Sequence, residues 1–124
     1  PRSSADRLPS RPSATGFTLR GRTFPATNAK GVMLGVFKTF AAEDPAFVER
    51  FYRHEGNTGR RRTYVARSVE EMYPNRPDLW RYSDEFIPGW FIATNLSNES
   101  KQKLIELACK VAGLRVGSDL TFSF

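Results

Sequence analysis

This sequence of 124 residues has a single cysteine, no long apolar run and no surplus of acidic charge. Its one cysteine, Cys109, excludes an internal disulfide framework and a zinc site built on several cysteines. No stretch approaches the roughly 18 consecutive apolar residues that a membrane span requires, and the first residues lack the apolar segment of a signal peptide. We therefore expect a soluble cytoplasmic protein with no membrane partner, no metal and no other cofactor.

The positive charge is concentrated in one half of the chain. Residues 1–62 contain twelve Lys and Arg against five Asp and Glu, a net of +7, whereas residues 63–124 contain seven against eight, a net of −1. A basic excess confined to one half indicates a polyanionic partner. The alternative is a basic solubilising tail, but arginines also cluster beyond the tail, at positions 20, 22 and 60–62.

The chain divides into a tail and a single predicted domain. Residues 1–15 are rich in Pro, Ser and Arg and are predicted to be a flexible linker or tail. A start at Pro1 also fits a domain excised from a longer protein. Residues 16–124, with ten phenylalanines in the whole chain to fill a core, are predicted to form an α+β domain with a small, mostly antiparallel sheet packed against about three helices.

Local signals predict the elements of this domain. The hairpin, the helices and the strands are expected in chain order: a hairpin turning at Arg20-Gly21, a helix capped by Thr27 or Asn28, a helix starting at Asp44-Pro45, a strand ending at Ala66, a short helical turn after Ser68, a strand over residues 90–94, a helix capped by Ser97 or Asn98 and ending at Gly113, and an edge strand over residues 120–124. Residues 74–88, with three prolines, are expected to be irregular.

Three consecutive arginines, Arg60, Arg61 and Arg62, follow Gly59 at a predicted turn and lead into a strand. A guanidinium group suits phosphate oxygens and the O6/N7 edge of guanine, because both accept two parallel hydrogen bonds. The run therefore indicates contact with DNA. The alternative is a solvated loop.

A second candidate segment, residues 94–101, lies at a predicted strand-to-helix junction. Helix N-termini attract phosphates, and Asn side chains pair with the N6/N7 edge of adenine. We therefore assign Asn95, Ser97, Asn98 and Lys101 to DNA contact. Helix capping is the competing explanation for the Ser and Asn residues.

The segments GRRRTYVA (59–66) and IPGWFIATNLSNESKQKLIELAC (87–109) resemble the C-terminal DNA-binding domain of SeqA, the replication-origin sequestration protein. That family has a Gly-Arg-x-Arg-x-Tyr segment, then an aromatic strand ending in Thr-Asn-x-Asn, then a helix. The resemblance covers roughly residues 31–116. It implies that Arg60, Arg62 and Asn95 contact DNA. Similar segments also resemble accessory domains of prokaryotic restriction-type proteins.

Two positions depart from the SeqA pattern. Arg61 stands where that family has Thr, and Ser97 stands where it has its second Asn, unless Asn98 takes that place. A hydroxyl cannot make the two hydrogen bonds of an amide, so the family's preference for hemimethylated GATC is not carried over. We expect a sequence- or methylation-sensitive binder of double-stranded DNA, nucleoid-associated and without enzymatic activity, with Arg20 and Arg22 adding phosphate contacts.

Other functions are consistent with parts of the sequence. Pro77-Asp78 with Glu99-Ser100-Lys101 matches the loose PD…ExK pattern of Mg²⁺-dependent nucleases, although acidic residues are also common at helix starts. His54 and Glu55 are the one possible acid/base pair that includes a histidine. Exposure of Tyr82, Phe86 and Trp90 would instead indicate a protein-interaction module or a surface that stacks on unpaired bases.

Overall fold

The computed structural model describes residues 15–58 and 63–124. The elements in these ranges are the strands β1 (Gly16–Leu19), β2 (Arg22–Pro25), β3 (Val65–Ala66), β4 (Ser83–Ile87), β5 (Trp90–Ala93) and β6 (Leu120–Ser123), the helices α1 (Ala29–Glu43), α2 (Phe47–Arg53), α3 (Val69–Met72) and α4 (Asn98–Ala112), and two 3₁₀ helices, Glu55–Asn57 and Pro77–Tyr82. The predicted α+β class is confirmed. The strands form two three-stranded antiparallel sheets, in the orders β2-β1-β6 and β3-β5-β4, where the sequence predicted one.

The first sheet is built on the predicted Arg20-Gly21 hairpin. Arg20 and Gly21 both have positive φ, 47° and 86°, the combination that suits a two-residue turn between twisted strands. The register pairs Leu19 with Arg22 across this turn. On the other side of β1, Leu19 pairs with Leu120 of β6, so the predicted C-terminal edge strand is confirmed.

Helix α1 packs on the first sheet. The side chain of Asn28 caps the helix by accepting a hydrogen bond from the Gly31 N–H at 2.8 Å, as predicted. Gly35 of α1 lies against β1: a Cβ at this position would be 2.8 Å from the Phe17 ring. The missing side chain thus allows the helix to approach the strand closely.

Aromatic side chains from several elements meet in the core. The Phe37 ring of α1 lies 5.1 Å from that of Phe51 and 5.9 Å from those of Phe47 and Phe86, measured between centroids. All four side chains are buried. Since Phe47 and Phe51 belong to α2 and Phe86 to β4, these contacts join the helices to the second sheet, with a gain beyond simple burial from the tilted ring geometry.

Helix α4 completes the core on its predicted face. Leu104, Ile105 and Ala108 are buried, and α4 packs against α1 and α2. Gly113 ends the helix in the left-handed conformation, with φ 76°, as expected for a glycine terminator. No helix among the described residues has the length and apolar character needed to cross a lipid bilayer.

The second sheet is covered on both faces. Val65 and Ile92 face the main core, whereas Ala66 and Ala93 face a smaller cluster that contains Met72 of α3. The 3₁₀ helix Pro77–Tyr82 contributes to this second cover. Residues 74–88 are therefore more regular than predicted, because β4 is fixed by its pairing with β5 and not by a strong local strand signal.

Candidate nucleic-acid interface

Three segments of the chain meet at one end of the second sheet, which we call the Thr94 end and define by Thr63, Tyr82 and Thr94. The Ala93 N–H donates to the Tyr64 carbonyl at 2.9 Å. Because β3 and β5 are antiparallel, continuing their register by two residues beyond Val65 and Ile92 places Thr63 beside Thr94. On the other side, the Thr94 N–H donates to the Tyr82 carbonyl at 2.8 Å.

The two described residues that flank the arginine run, Thr58 and Thr63, lie at this end. They pair with each other in an antiparallel bridge, so the chain positions on either side of residues 59–62 are adjacent. Arg60, Arg61 and Arg62 themselves lie outside the described residues. Their predicted contacts with DNA stay a prediction, but the position of the loop's two ends beside Thr94 is defined.

Asn57 fixes the base of this loop to the sheet. Its side chain is 1 % exposed. Its Nδ2 donates to the Val65 carbonyl at 2.9 Å and to the Tyr52 carbonyl at 3.2 Å, while its Oδ1 accepts from the Val65 N–H at 2.8 Å. Hydrogen-bonded and non-bonded pairs alternate along an antiparallel ladder, so the backbone of Val65 points away from β5. The Asn57 carboxamide therefore substitutes for a neighbouring strand.

The entrance to α4 lies at the same end. Asn95 and Asn98 are exposed there. Ser97 is the helix cap: its Oγ accepts from the Ser100 N–H at 3.1 Å. The capping alternative is therefore confirmed for Ser97.

Lys101, which the sequence assigned to DNA contact, makes a structural contact within the fold. The residue is 9 % exposed, and its Nζ donates to the Leu96 carbonyl at 2.6 Å. This bond ties the first turn of α4 to the loop before it. We therefore omit Lys101 from the candidate interface.

Arg20 and Arg22 lie on the hairpin of the first sheet and away from this interface, and their expected phosphate contacts stay a prediction. Arg20 lines a shallow cavity with Ala112 and Leu114 at the C-terminal end of α4. A helix of 15 residues is about 22 Å long, so Arg20 is roughly that far from Ser97. Its Nη1 lies 3.5 Å from Glu43, and the Arg22 guanidinium lies 5.1 Å from the Phe24 ring centroid. Long-range pairing of the hairpin with β6 causes this separation.

The described residues are almost neutral. Residues 15–58 and 63–124 contain thirteen Lys and Arg against twelve Asp and Glu, a net of +1, whereas residues 1–14 and 59–62 contain six against one, a net of +5. Seven of the thirteen described basic side chains have a carboxylate within 4.0 Å. The basic excess is therefore carried by the first 14 residues and the arginine loop.

No protein-family model, curated protein or solved structure matches this chain. The resemblance to the SeqA domain therefore stays an expectation from the two sequence segments.

The residues of the nuclease pattern have other partners. Asp78 forms two hydrogen bonds with the Arg76 guanidinium, at 3.0 and 2.9 Å, and the hydrogen bond from Arg76 lowers the pKa of Asp78. Glu99 lies 3.8 Å from Lys103. Within residues 15–58 and 63–124, no three His, Cys, Asp or Glu side chains are grouped so that they could hold a metal ion.

Two further candidates for chemistry take structural roles. The Nδ1 of His54 accepts a hydrogen bond from the Gly56 N–H at 2.9 Å and so caps the following 3₁₀ helix. Cys109 is buried on the apolar face of α4, and this burial raises the pKa of its thiol to about 11. A thiol with such a pKa is a poor nucleophile near neutral pH.

The aromatic residues proposed as a protein-interaction surface do not form one. Phe86 is in the core, 4 % exposed. The Trp90 ring is partly buried and lies 4.8 Å below the Arg67 guanidinium. Among the described residues, the large hydrophobic side chain that is exposed is Val116. Tyr82 lies at the Thr94 end, beside the candidate interface.

Sequence reasoning missed Asn57 and Arg81, and it considered Tyr82 only as part of an aromatic surface. The sequence placed Asn57 only in a segment expected to turn, and no local pattern distinguishes a buried, hydrogen-bonding Asn from an exposed one. Arg81 and Tyr82 fall in the segment that was expected to be irregular. A strand assigned to residues 83–87 would have been the signal, since it places both residues beside the end of β5.

Proposed function

We propose that this chain binds double-stranded DNA through one surface formed by the arginine loop, residues 59–62, and the entrance to α4. The observation that carries the proposal is the register of β3 and β5, which places Thr63 beside Thr94. The chain positions from which the arginine run and the α4 entrance extend are therefore adjacent, so that one duplex can contact both segments.

Each segment supplies a different kind of contact. Arginines neutralise phosphates and release counterions, which gives affinity without sequence preference. The exposed amides of Asn95 and Asn98 are suited to base edges, which carry sequence information. The start of α4 is fixed by the Ser97 cap and by the hydrogen bond from Lys101 to the Leu96 carbonyl. A fixed backbone favours contacts with base edges at a defined geometry.

Fluorescence anisotropy with a 20-base-pair duplex over a series of salt concentrations tests the proposal. If three arginines of the loop contact phosphates, log affinity should fall against log salt with a slope of about −3. Replacing Arg60, Arg61 and Arg62 together by Gln should reduce the affinity at least about tenfold and remove most of this slope.

The N-terminal segment provides a matched control. Replacing Arg2, Arg7 and Arg11 by Gln removes the same charge, and we expect a smaller loss of affinity. An equal or greater loss in this control, or no salt-dependent binding by the unchanged chain, would overturn the proposal.

Specificity requires a separate experiment. Selection from a random duplex library, with and without adenine methylation, should give a preferred site, and Asn95→Ala should reduce discrimination against other sites by about 1–3 kcal/mol. A preference that depends on the methyl group would support the SeqA-like and restriction-type readings of the sequence. A uniform library after selection would limit the chain to sequence-independent binding.

A further inference from the structure

Among the described strands, the two edges of the first sheet, β2 and β6, present different backbone groups. The two-residue turn makes Leu19 and Arg22 a hydrogen-bonded pair, so the alternate residues of β2, Thr23 and Pro25, direct their backbone groups outward. Pro25 has no N–H to offer. A proline at such a position protects an edge strand from further pairing.

The edge formed by β6 keeps both a donor and an acceptor at Phe122. The Leu120 N–H donates to the Arg115 carbonyl at 3.2 Å, and the Leu120 carbonyl accepts from the Gly117 N–H at 2.7 Å. The backbone of Leu120 therefore points away from β1. Because backbone direction alternates along a strand, Phe122, two residues further, also directs its N–H and carbonyl away from β1. These are the groups with which an additional strand would pair.

A groove of about 410 Å³ lies beside this edge, between β6 and α4. Its apolar part comes from Val116, which is 46 % exposed, and from the half-buried Phe122 and Phe124, whose ring centroids are 5.6 Å apart in a stacked arrangement. Residues directly opposite each other on paired strands share one face of the sheet. A side chain opposite Phe122 on an added strand would therefore lie in this groove.

The charged side chain that lines the groove is Glu106 of α4. It is exposed, and no Lys or Arg of the described residues is within 4.0 Å of its carboxylate. The groove thus carries a negative charge in a chain whose net charge is +6. A Lys or Arg side chain opposite Phe122 can pack its aliphatic stem on the aromatic rings and direct its cation to Glu106.

We propose that the edge of β6 binds an extended basic segment of a partner protein, which pairs with Phe122 as an additional strand and directs Lys or Arg side chains into the groove. In this mode of binding, main-chain hydrogen bonds supply affinity, and the groove beside the edge supplies the preference for particular side chains. The site lies on the first sheet, whereas the Thr94 end lies on the second. The inference therefore does not depend on DNA binding.

Fluorescence anisotropy with a labelled peptide of about eight residues, in which Val and Lys alternate, tests the proposal. The control peptide has Glu in place of every Lys. The Lys peptide should bind at least about tenfold more tightly than the Glu peptide. The net charge of the chain, +6, opposes this result, because attraction to the whole protein would favour the Glu peptide. Equal binding, tighter binding of the Glu peptide, or no binding of the Lys peptide would overturn the proposal.

Two substitutions at Phe122 isolate the contribution of its N–H. Phe122→Ala removes the ring and keeps the N–H, whereas Phe122→Pro removes both. The hydrogen bonds between β1 and β6 remain in either variant, since this N–H points away from β1. Phe122→Pro should bind the Lys peptide about fivefold more weakly than Phe122→Ala, because one hydrogen bond is lost. Equal binding by the two variants would rule out pairing at this edge.

Glu106→Gln tests the charge of the groove without altering a strand, and its exposed position means that the fold should be retained. We expect it to weaken binding of the Lys peptide about threefold. Glu70→Gln is the matched control, because Glu70 is exposed on α3, which covers the second sheet. It should change the affinity less than about 1.5-fold, since solvent screens exposed charges. Equal effects of the two variants would show that Glu106 does not select a basic segment.

Light scattering on the unchanged chain tests the other occupant of this edge. We expect a monomer at the concentrations used for peptide binding. A dimer that Phe122→Pro dissociates and Phe122→Ala retains would assign the edge of β6 to a second copy of this chain, and the proposal of a basic partner segment would be overturned.

Discussion

The two ends of the short β3–β5 pairing use arginine in opposite ways. At the end defined by Arg67 and Trp90, the Arg67 guanidinium lies over both the Tyr52 and the Trp90 ring, with centroid distances of 5.5 and 4.8 Å, and its Nη2 donates to Glu49 at 2.7 Å. At the Thr94 end, Arg81 is held over an aromatic ring with no described carboxylate in ion-pair contact. At the end defined by Arg67, the positive charge of Arg67 is thus neutralised by Glu49 within the fold.

This contrast separates stabilising arginines from those available to a ligand. At the Arg67 end, Glu71 accepts hydrogen bonds from the Arg67 N–H and the Tyr52 hydroxyl, and Glu49 also pairs with Arg53. Every charge there has a partner. Basic residues per se therefore say little about binding; the neighbouring acidic groups decide which cations a polyanion can reach.

The largest expected effect comes from the residue that holds the Thr94 end together. Asn57→Ala leaves the N–H and carbonyl of buried Val65 without their present partners, and unpaired buried backbone groups are costly. We expect the free energy of unfolding to fall by about 3 kcal/mol, measured by urea denaturation.

Asn98→Ala is the matched control for this change. The same amide is removed at an exposed position at the start of α4, so stability should change by less than about 0.5 kcal/mol while duplex binding weakens. Equal stability losses in the two variants would show that Asn57 does not anchor the loop base in the way that its contacts indicate.

How far the sequence predicts this molecule depends on whether the signal is local. The hairpin, the Asn28 cap and the α4 boundaries follow from side chains that act within a few residues, and all three are confirmed. Strand β4 was missed because Pro74, Pro77 and Pro88 dominate its surroundings and its alternation is short. It exists because β5 pairs with it along its length.

The candidate site divides in the same way. A run of arginines and an Asn-rich helix start can be recognised directly, and the strands on which they are mounted can be guessed. Their adjacency depends on the register of β3 with β5, and the separation of Arg20 from them depends on the pairing of β1 with β6. Such pairings join residues far apart in the chain, which local patterns do not encode.

A smaller effect should come from Arg67→Gln, which tests whether Arg67 stabilises the fold without contributing to DNA binding. Loss of the contacts with the two rings and Glu49 should reduce stability by about 1 kcal/mol, since the Arg67 side chain is largely exposed and its ion pair is screened by solvent. Duplex affinity should change less than about twofold. The combined Gln variant of the three loop arginines should show the reverse pattern, with binding lost and the urea midpoint retained. A marked loss of duplex binding in Arg67→Gln would mean that the two ends are not functionally distinct.

The smallest effect concerns Tyr52, whose hydroxyl hydrogen bonds to Glu71 at the Arg67 end. This hydrogen bond raises the pKa of Tyr52 above its usual value of 10.0, with smaller contributions from burial and from the charge of Glu71. The raised pKa means that folding favours the neutral phenol: its stabilising contribution is complete below pH 10 and is lost as the pH rises through the raised value. Absorbance at 295 nm, taken as the difference between the unchanged chain and Tyr52→Phe, should follow this titration. Glu71→Gln should lower the pKa of Tyr52, because the carboxylate charge is removed. An unchanged titration in that variant would show that Glu71 does not determine the pKa of Tyr52. The hydrogen bond between the two side chains would then not be part of the network at this end.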